Sequence, residues 1–244
     1  MRKEIRLLVE SFFDDDIFKP NDINQDIENI GNSILYTYYP VNKVELRELI
    51  KQLLKERGKN ADLNDIDTSK ITDMSFLFSE LDPHNINISL WDVSNVEDMG
   101  FMFEFCENFN CDLSNWNVKK VSEMSSMFTH CKKFNHDLSS WNISNVKYMS
   151  YMFYSCLNFN QDLFNWNFKK IKDMSYMFSH CINFDGDLSN WNVNNVIFME
   201  GMFENCAEFT GKGLETWKPK KCENFLSMFD NCISLKTIPN WYNF

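Results

Sequence analysis

Residues 141–163 read WNISNVKYMSYMFYSCLNFNQDL, and closely related phrases fill most of the chain. The phrase begins at a tryptophan, and the tryptophans from Trp91 to Trp191 follow one another in steps of 25 residues, with Trp217 a further 26 residues on. A fixed period between about 20 and 50 residues is typical of repeat architectures. Because one such unit cannot bury its apolar face alone, the chain is predicted to be a stack of coils.

Two spacings within one repeat predict its secondary structure. The first half has the spacing of the short strand of a leucine-rich repeat, with Trp141 in the place of the middle leucine. The second half has the spacing of one helical face; its positions are Met149, Met152, Phe153 and Cys156. The predicted fold class is therefore an α/β solenoid, a right-handed, leucine-rich-repeat-like coil stack with a parallel sheet of short strands.

The repeat also divides the chain. Residues 1–60 lack it and are predicted to form a helical N-terminal cap, while residues 61–244 form the solenoid of about seven 25-residue coils, the last one a C-terminal cap. Apolar spacing predicts two helices before Pro40. A third helix is expected between the capping residue Asn42 and Gly58, which stands where a helix C-cap belongs.

Composition limits the class of partner. The formal net charge is −11, which argues against a nucleic-acid-binding protein, because phosphates need a basic surface. The same charge disfavours docking on an anionic membrane, and no stretch is apolar enough to predict membrane insertion. Arg6 and Glu10 interrupt any apolar N-terminal signal segment. A cytoplasmic location is therefore expected, with the cell surface as the alternative.

The cysteines occupy one position of the repeat. They are Cys106, Cys131, Cys156, Cys181 and Cys206, followed after 26 residues by Cys232. Leu81 fills the same position in the first coil, which indicates a buried apolar site that suits a reduced thiol. Stacked coils would bring neighbouring cysteines within disulfide range, so a disulfide or a metal site is the alternative. Side chains that all point inward in parallel favour reduced thiols.

No motif in the sequence predicts catalysis. The chain has no phosphate-binding glycine loop, H-E-x-x-H motif, nucleophile elbow or paired C-x-x-C. His130 and His180 share one position but lie two coils apart, about 10 Å at the spacing of paired strands, which is too far to bind one metal ion. We therefore predict no catalytic residue, no cofactor and no metal site, and expect that the protein is not an enzyme.

Aspartates form a column before the predicted strand of successive coils. They are Asp112, Asp137, Asp162 and Asp187. Carboxylates about 5 Å apart would repel one another unless a cation such as calcium neutralised them. The favoured interpretation is that these side chains satisfy backbone groups in turns, with calcium binding as the alternative.

Two polar columns beside the tryptophans are the candidate partner-binding residues. One contains Asn117, Asn142, Asn167 and Asn192, and the other contains Lys119, Lys169 and Lys220 on alternate coils. The open strand face of a solenoid is its usual binding surface, so these side chains could bind an acidic or extended partner. The alternative is a solvated face with asparagines bonded along the column. Phe101, Tyr151 and Tyr176 are expected to be partly exposed and are interpreted as packing between coils rather than as a site.

The clean repeats also carry a family resemblance. Residues 131–146, CKKFNHDLSSWNISNV, resemble the 25/26-residue repeat of BspA-type leucine-rich-repeat proteins, which occurs in Listeria and Mycoplasma surface proteins and lipoproteins. The resemblance covers about residues 40–235, and residues 45–50 and 62–74 resemble the entry into such arrays. It implies a leucine-rich-repeat fold with surface exposure, adhesion or protein binding, and no shared active site.

These observations predict a non-catalytic protein–protein interaction scaffold that binds a partner protein on its strand face. One alternative is a cell-surface adhesin or antigen, which fractionation of native cells would distinguish. The other is an accessory or inhibitor subunit of an enzyme, whose activity would lie in its partner.

Overall fold

The structure, a computed structural model, describes residues 36–242. These residues form one α-helix, α1 (Lys43–Arg57), and a short 3-10 helix (Leu214–Thr216), with no strand or sheet among them. Parallel pairing is limited to isolated β-bridges, such as those that join Tyr148 to Glu123 in the preceding repeat and to Asp173 in the following one. The predicted α/β solenoid with a parallel sheet of short strands is therefore wrong.

The strand half of each repeat fails to form a strand because tight turns interrupt it. The Trp141 N–H donates to the Leu138 carbonyl at 3.1 Å, and the Val146 N–H donates to the Ile143 carbonyl at 3.0 Å. Each of these bonds closes a turn across three residues, whereas a strand would send both N–H groups to a neighbouring chain. The apolar positions nevertheless face inward, as the repeat pattern indicates.

The segment predicted as a helix in each repeat is instead a run of tight turns. Tyr151 and Ser155 both have φ of 59°, whereas an α-helix needs φ near −63°. Left-handed residues recur at the same two positions in the other repeats, so no helix can propagate there. The inward positions were located correctly from their spacing: Met149, Met152, Phe153 and Cys156 are all fully buried.

Backbone N–H groups in this segment bond alternately within the repeat and to the next repeat. The Tyr151 N–H donates to the Ser175 carbonyl of the next repeat at 2.9 Å, while the Met152 N–H donates to Met149 at 3.2 Å. The Phe153 N–H again crosses to the next repeat, to Met177 at 2.9 Å. Successive repeats are therefore joined by backbone hydrogen bonds without a sheet.

Aromatic rings fill the core between successive repeats. The ring centroids of Phe103 and Phe128 lie 5.6 Å apart, and those of Phe128 and Phe153 are also 5.6 Å apart, with the planes inclined by only 5° in each pair. These distances fall in the range of favourable offset stacking. Each buried phenylalanine therefore contacts its equivalents on both sides.

The tryptophans add a polar bond to this core. Trp141 is only 3% exposed, and its Nε1–H donates to the Leu113 carbonyl of the preceding repeat at 2.9 Å. The same bond recurs at every tryptophan of the chain, namely Trp91, Trp116, Trp166, Trp191, Trp217 and Trp241. Burying an indole leaves its N–H without water, so each repeat supplies the carbonyl that the next one needs.

Helix α1 is the helix predicted after Asn42, and that prediction is confirmed. The Asn42 side chain accepts a hydrogen bond from the Glu45 N–H at 3.0 Å. Leu46, Ile50 and Leu53 are fully buried within the same core cluster as the first repeat. The two helices predicted before Pro40 lie mostly outside the described residues, and the boundary at residue 60 stays a prediction.

Arg47 of α1 occupies the backbone acceptors of the first repeat. Its guanidinium donates to the carbonyls of Phe76, Leu77 and Ser79, the last two at 2.8 and 3.0 Å. In later repeats the equivalents of Leu77 and Ser79 accept N–H groups from the repeat before them. Arg47 therefore replaces the donors that a preceding repeat would supply.

The 26-residue repeat accommodates its extra residue in a bulge at Gly211–Gly213. Gly213 has φ of 88°, and a Cβ there would lie 2.2 Å from the Ser189 backbone nitrogen, so this position requires glycine. The contacts on either side are unchanged, because the Trp191 and Trp217 rings still stack at 5.9 Å.

Truncating a core tryptophan tests this packing. We expect Trp141→Ala to lower the free energy of unfolding by about 3–5 kcal/mol, the usual cost of a large cavity. Trp141→Phe should cost less, because it keeps a ring but leaves the Leu113 carbonyl without its donor. Urea denaturation followed by circular dichroism would measure both. A loss below about 1 kcal/mol for Trp141→Ala would show that the ring is not part of the core.

Candidate interaction surfaces

The predicted partner-binding residues lie on the surface, on one side of the turn that follows each tryptophan. Every one of them is exposed: Asn117, Asn142, Asn167, Asn192, Lys119, Lys169 and Lys220. We refer to these seven residues as the lysine face. Because the described residues form no sheet, this surface is built on turns and is not a strand face.

The asparagines of the lysine face stabilise their own turns. Asn142 Oδ1 accepts the backbone N–H of Ser144 at 3.2 Å, and Asn192 Oδ1 accepts that of Asn194 at the same distance. An oxygen that bonds the backbone two residues on forms an Asx-turn. The described residues show no bond from one asparagine of the column to the next. Their Nδ2 groups therefore remain available as donors toward solvent.

Two lysines of the face, Lys119 and Lys169, differ from the lysines beside them. Lys120 Nζ donates to Asn95 Oδ1 of the preceding repeat at 2.7 Å, and Lys170 Nζ donates to Asn145 at 2.8 Å. By contrast, the ammonium groups of Lys119, Lys169 and Lys220 form no ion pair or hydrogen bond within residues 36–242. The first lysine of each pair is therefore available to a partner.

A second asparagine column binds successive repeats together. Asn135 Oδ1 accepts the backbone N–H of Asn160 at 2.9 Å, and Asn160 Oδ1 accepts that of Asp185 at 2.8 Å. The aspartate column bonds within its own turn, since Asp137 accepts the Ser139 N–H at 2.7 Å. No group of three or more possible metal ligands occurs within residues 36–242.

Calcium dependence would distinguish the two interpretations of the aspartate column. Because the Asp137 carboxylate already accepts a backbone N–H, we expect the melting temperature to be the same in calcium and in a chelator. Thermal unfolding followed by circular dichroism would measure it. A rise of several degrees in calcium, lost in Asp137→Asn, would instead establish a cation between repeats.

The cysteine column consists of free thiols in the core. All eight cysteines are unpaired, and Cys156 Sγ donates to the Phe128 carbonyl of the preceding repeat at 2.9 Å. Burial raises the pKa of Cys156 well above that of an exposed thiol and raises the pKa of Cys106 to about 12. The thiols therefore act as protonated donors and are poor nucleophiles.

Thiol labelling tests this arrangement. Cys222 is the only cysteine in the described residues that is half-buried rather than buried. Its partial burial raises the pKa of the thiol to about 11. We expect a disulfide reagent to label Cys222 first, with a rate that rises about tenfold per pH unit below that pKa, because only the thiolate reacts. Cys222→Ser should remove the fast phase, and unfolding in urea should expose the remaining thiols. Several thiols reacting at one rate in the native protein would contradict the burial.

Aromatic side chains form a second surface on the turn segment. Its members are Phe105, His130, Tyr151, Tyr154, Tyr176 and His180, and we refer to them as the aromatic strip. Ring contacts connect them across four repeats: the closest are Phe105–His130 at 4.8 Å and Tyr151–Tyr176 at 4.9 Å. The expected packing between repeats is present for Tyr151 and Tyr176, and Phe101 stacks on Phe76 at 4.5 Å.

The strip is also partly exposed, as expected for Tyr151 and Tyr176. Phe105 is 45% exposed and Tyr151 is 38% exposed. Tyr154 connects the two halves of the strip, since its ring lies 5.3 Å from His180 and 5.6 Å from Tyr151. Helical spacing placed these residues beside a buried face, whereas the left-handed turns direct them outward.

Carboxylates border one end of the aromatic strip. The Tyr176 hydroxyl donates to Glu200 Oε1 at 2.6 Å, and this bond, with burial, raises the pKa of Tyr176. Burial and the charge of Glu200 raise the pKa of Tyr151. Glu204 lies on the same side, where it accepts a bond from Ser179 at 3.3 Å. Glu200 and Glu204 form no ion pair within residues 36–242.

The sequence model of one protein family matches residues 47–166 and 147–243 and so covers most of the chain. It is described as "Mycoplasma protein of unknown function, DUF285". The chain belongs to this family. No curated protein and no solved structure matches it. This match confirms that the chain is related to a protein family of Mycoplasma, as the resemblance implied. The description of the family assigns no function.

The sequence predicts no membrane insertion. In the part of the chain from residue 36 to residue 242, no helix is long and apolar enough to cross a membrane.

Proposed function

We propose that the chain is a non-catalytic protein-interaction scaffold of the BspA type, and that it binds an acidic partner protein through the lysine face. The observation that carries this proposal is that the ammonium groups of Lys119, Lys169 and Lys220 have no partner among the described residues. They occur on alternate repeats of a chain whose net charge is −11. An acidic protein that keeps lysines in a row without counter-ions has a surface complementary to carboxylates.

The asparagines strengthen this proposal. Asn142 and Asn192 use their oxygens within the turn, so they present mainly Nδ2–H donors to a partner. Lysine carries donors only. A surface that offers donors and positive charge suits a partner rich in acceptors and negative charge. An acidic protein segment has both properties.

An alternative ligand with the same charge is a nucleic acid. The lysine face offers a single line of lysines, while the molecule as a whole is strongly negative. Repulsion between that net charge and a polyphosphate would oppose binding, whereas a short acidic segment can approach the lysines alone. The proposal therefore specifies a protein partner.

Charge reversal at all three lysines tests the proposal. We expect Lys119→Glu, Lys169→Glu and Lys220→Glu together to weaken binding of a ten-residue glutamate-rich peptide about tenfold or more, because exposed ion pairs contribute about 0.2–1 kcal/mol each. Isothermal titration calorimetry would measure the affinity. The melting temperature should change little, since these exposed side chains form no hydrogen bond or ion pair in the described residues.

A matched control reverses three exposed lysines elsewhere, Lys55, Lys133 and Lys236, and changes the net charge equally. If the control weakens binding as much as the lysine-face variant, the effect is one of net charge and the proposed site is wrong. Tighter binding of single-stranded DNA than of the peptide would reject a protein partner.

A further inference from the structure

We propose that the aromatic strip, with Glu200 and Glu204, is a second interaction surface, and that it binds an extended, arginine- or lysine-rich segment of a partner protein. This surface is separate from the lysine face and takes a partner of opposite charge. It is carried by the stacked pair Tyr151 and Tyr176, which lies beside two carboxylates that have no counter-ion among residues 36–242.

The backbone does not favour aromatic residues at these positions. Tyr176 has φ of 56° and His180 has φ of 62°, a region that bulky side chains rarely adopt. The equivalent positions of the next repeat hold Gly201 and Asn205, which suit positive φ. The fold therefore accepts small or flexible residues here, and the aromatic residues are not needed to form the turn.

The core does not require these rings either. The buried phenylalanines already form a continuous column on the inner side of the same segment, from Phe103 through Phe153 to Phe203. Tyr151 lies outside that column and is 38% exposed. Neither the turn nor the core column therefore requires these rings, and their exposed edges are available to a ligand.

The neighbouring repeat is shaped to hold Tyr176 flat. A Cβ on Gly201 would lie 2.3 Å from the Tyr176 ring, so only glycine lets the ring rest on the next repeat. The Tyr176 hydroxyl then reaches Glu200, whose second oxygen accepts a bond from Asn224 Nδ2 at 2.8 Å. Tyr176 and Glu200 are thus fixed before any partner arrives, which reduces the entropy lost on binding.

The end of the strip at Tyr151 and Tyr176 favours a positively charged ligand. Tyr151 and Gly201 cover the two faces of the Tyr176 ring, so a guanidinium or ammonium group would contact the Tyr151 ring and the nearby carboxylate of Glu200. Asp173 adds negative charge beside Tyr151, and no lysine or arginine pairs with Glu200 or Glu204 within the described residues. Phosphates and anionic lipids would be repelled by the same carboxylates.

The length of the strip favours an extended peptide over a compact ligand. Its rings run from Phe105 through His130 and Tyr154 to His180, with one contact in each successive repeat. A compact ligand such as a single amine would use only one pair of rings. A peptide lying across the repeats could place one side chain over each pair.

Binding of a ten-residue peptide of alternating arginine and serine, followed by fluorescence anisotropy, tests the proposal. Tyr151→Asn with Tyr176→Asn keeps the net charge and suits positive φ, and it should weaken binding about tenfold. Glu200→Gln with Glu204→Gln should weaken binding to a similar degree. Controls are Phe164→Asn, an exposed aromatic residue outside the strip, and Glu56→Gln with Glu215→Gln, two exposed carboxylates elsewhere.

Each outcome decides the proposal. Loss of affinity in both strip variants with unchanged controls supports it. Unchanged affinity in the tyrosine variant means that net charge alone attracts the peptide, and the proposal fails. The protein could instead self-associate in sedimentation experiments in a way that requires Lys119 and Lys169. That result would show that a second copy occupies the strip, and it would also overturn the proposal. Replacing the three lysines of the lysine face by glutamine should leave arginine-peptide binding within about twofold, so the two surfaces can fail independently.

Discussion

The structure depends on a backbone in which alternate N–H groups serve different neighbours. In each turn segment one N–H closes a local turn and the next crosses to the following repeat, as Met152 and Phe153 do. Left-handed residues such as Tyr151 make this alternation possible, because they rotate the peptide planes away from a helical course. Hydrogen bonding between repeats is thereby satisfied without a sheet, and the rings, indoles and thiols pack at the distance that these bonds set.

The side chains that bridge repeats bond in the opposite sense, because they donate to the preceding repeat and accept from the following one. Trp141 and Cys156 each donate to a carbonyl of the preceding repeat, and Asn135 accepts an N–H from the following one. A buried polar group that lacks its partner costs free energy comparable to a lost hydrogen bond. Each repeat is consequently complete only with neighbours on both sides, and at the first repeat Arg47 of α1 provides the missing donors.

Sequence reasoning located the inward positions and the lysine face but assigned the wrong secondary structure. The spacing of Met149, Met152, Phe153 and Cys156 is shared by a helical face and by this run of turns, so periodicity could not separate them. The two left-handed residues in each turn segment prevent a helix from forming. Tyrosine and serine, as at Tyr151 and Ser155, are not residue types that predict a positive φ. A glycine at this position, Gly201, and an asparagine, Asn205, were the available signals. The continuity of the aromatic strip from Phe105 to His180 was missed for the same reason, whereas exposed Asn117 and Lys119 follow from the tryptophan register alone.

The bulge at Gly211–Gly213 bears on how such a molecule changes length. It adds one residue between Phe209 and Trp217, while Trp217 and Cys232 keep their contacts with the repeat before them. Two neighbouring repeats can therefore differ in length by one residue and still share the same contacts, so that the fold tolerates a local insertion without a change in the spacing of its core.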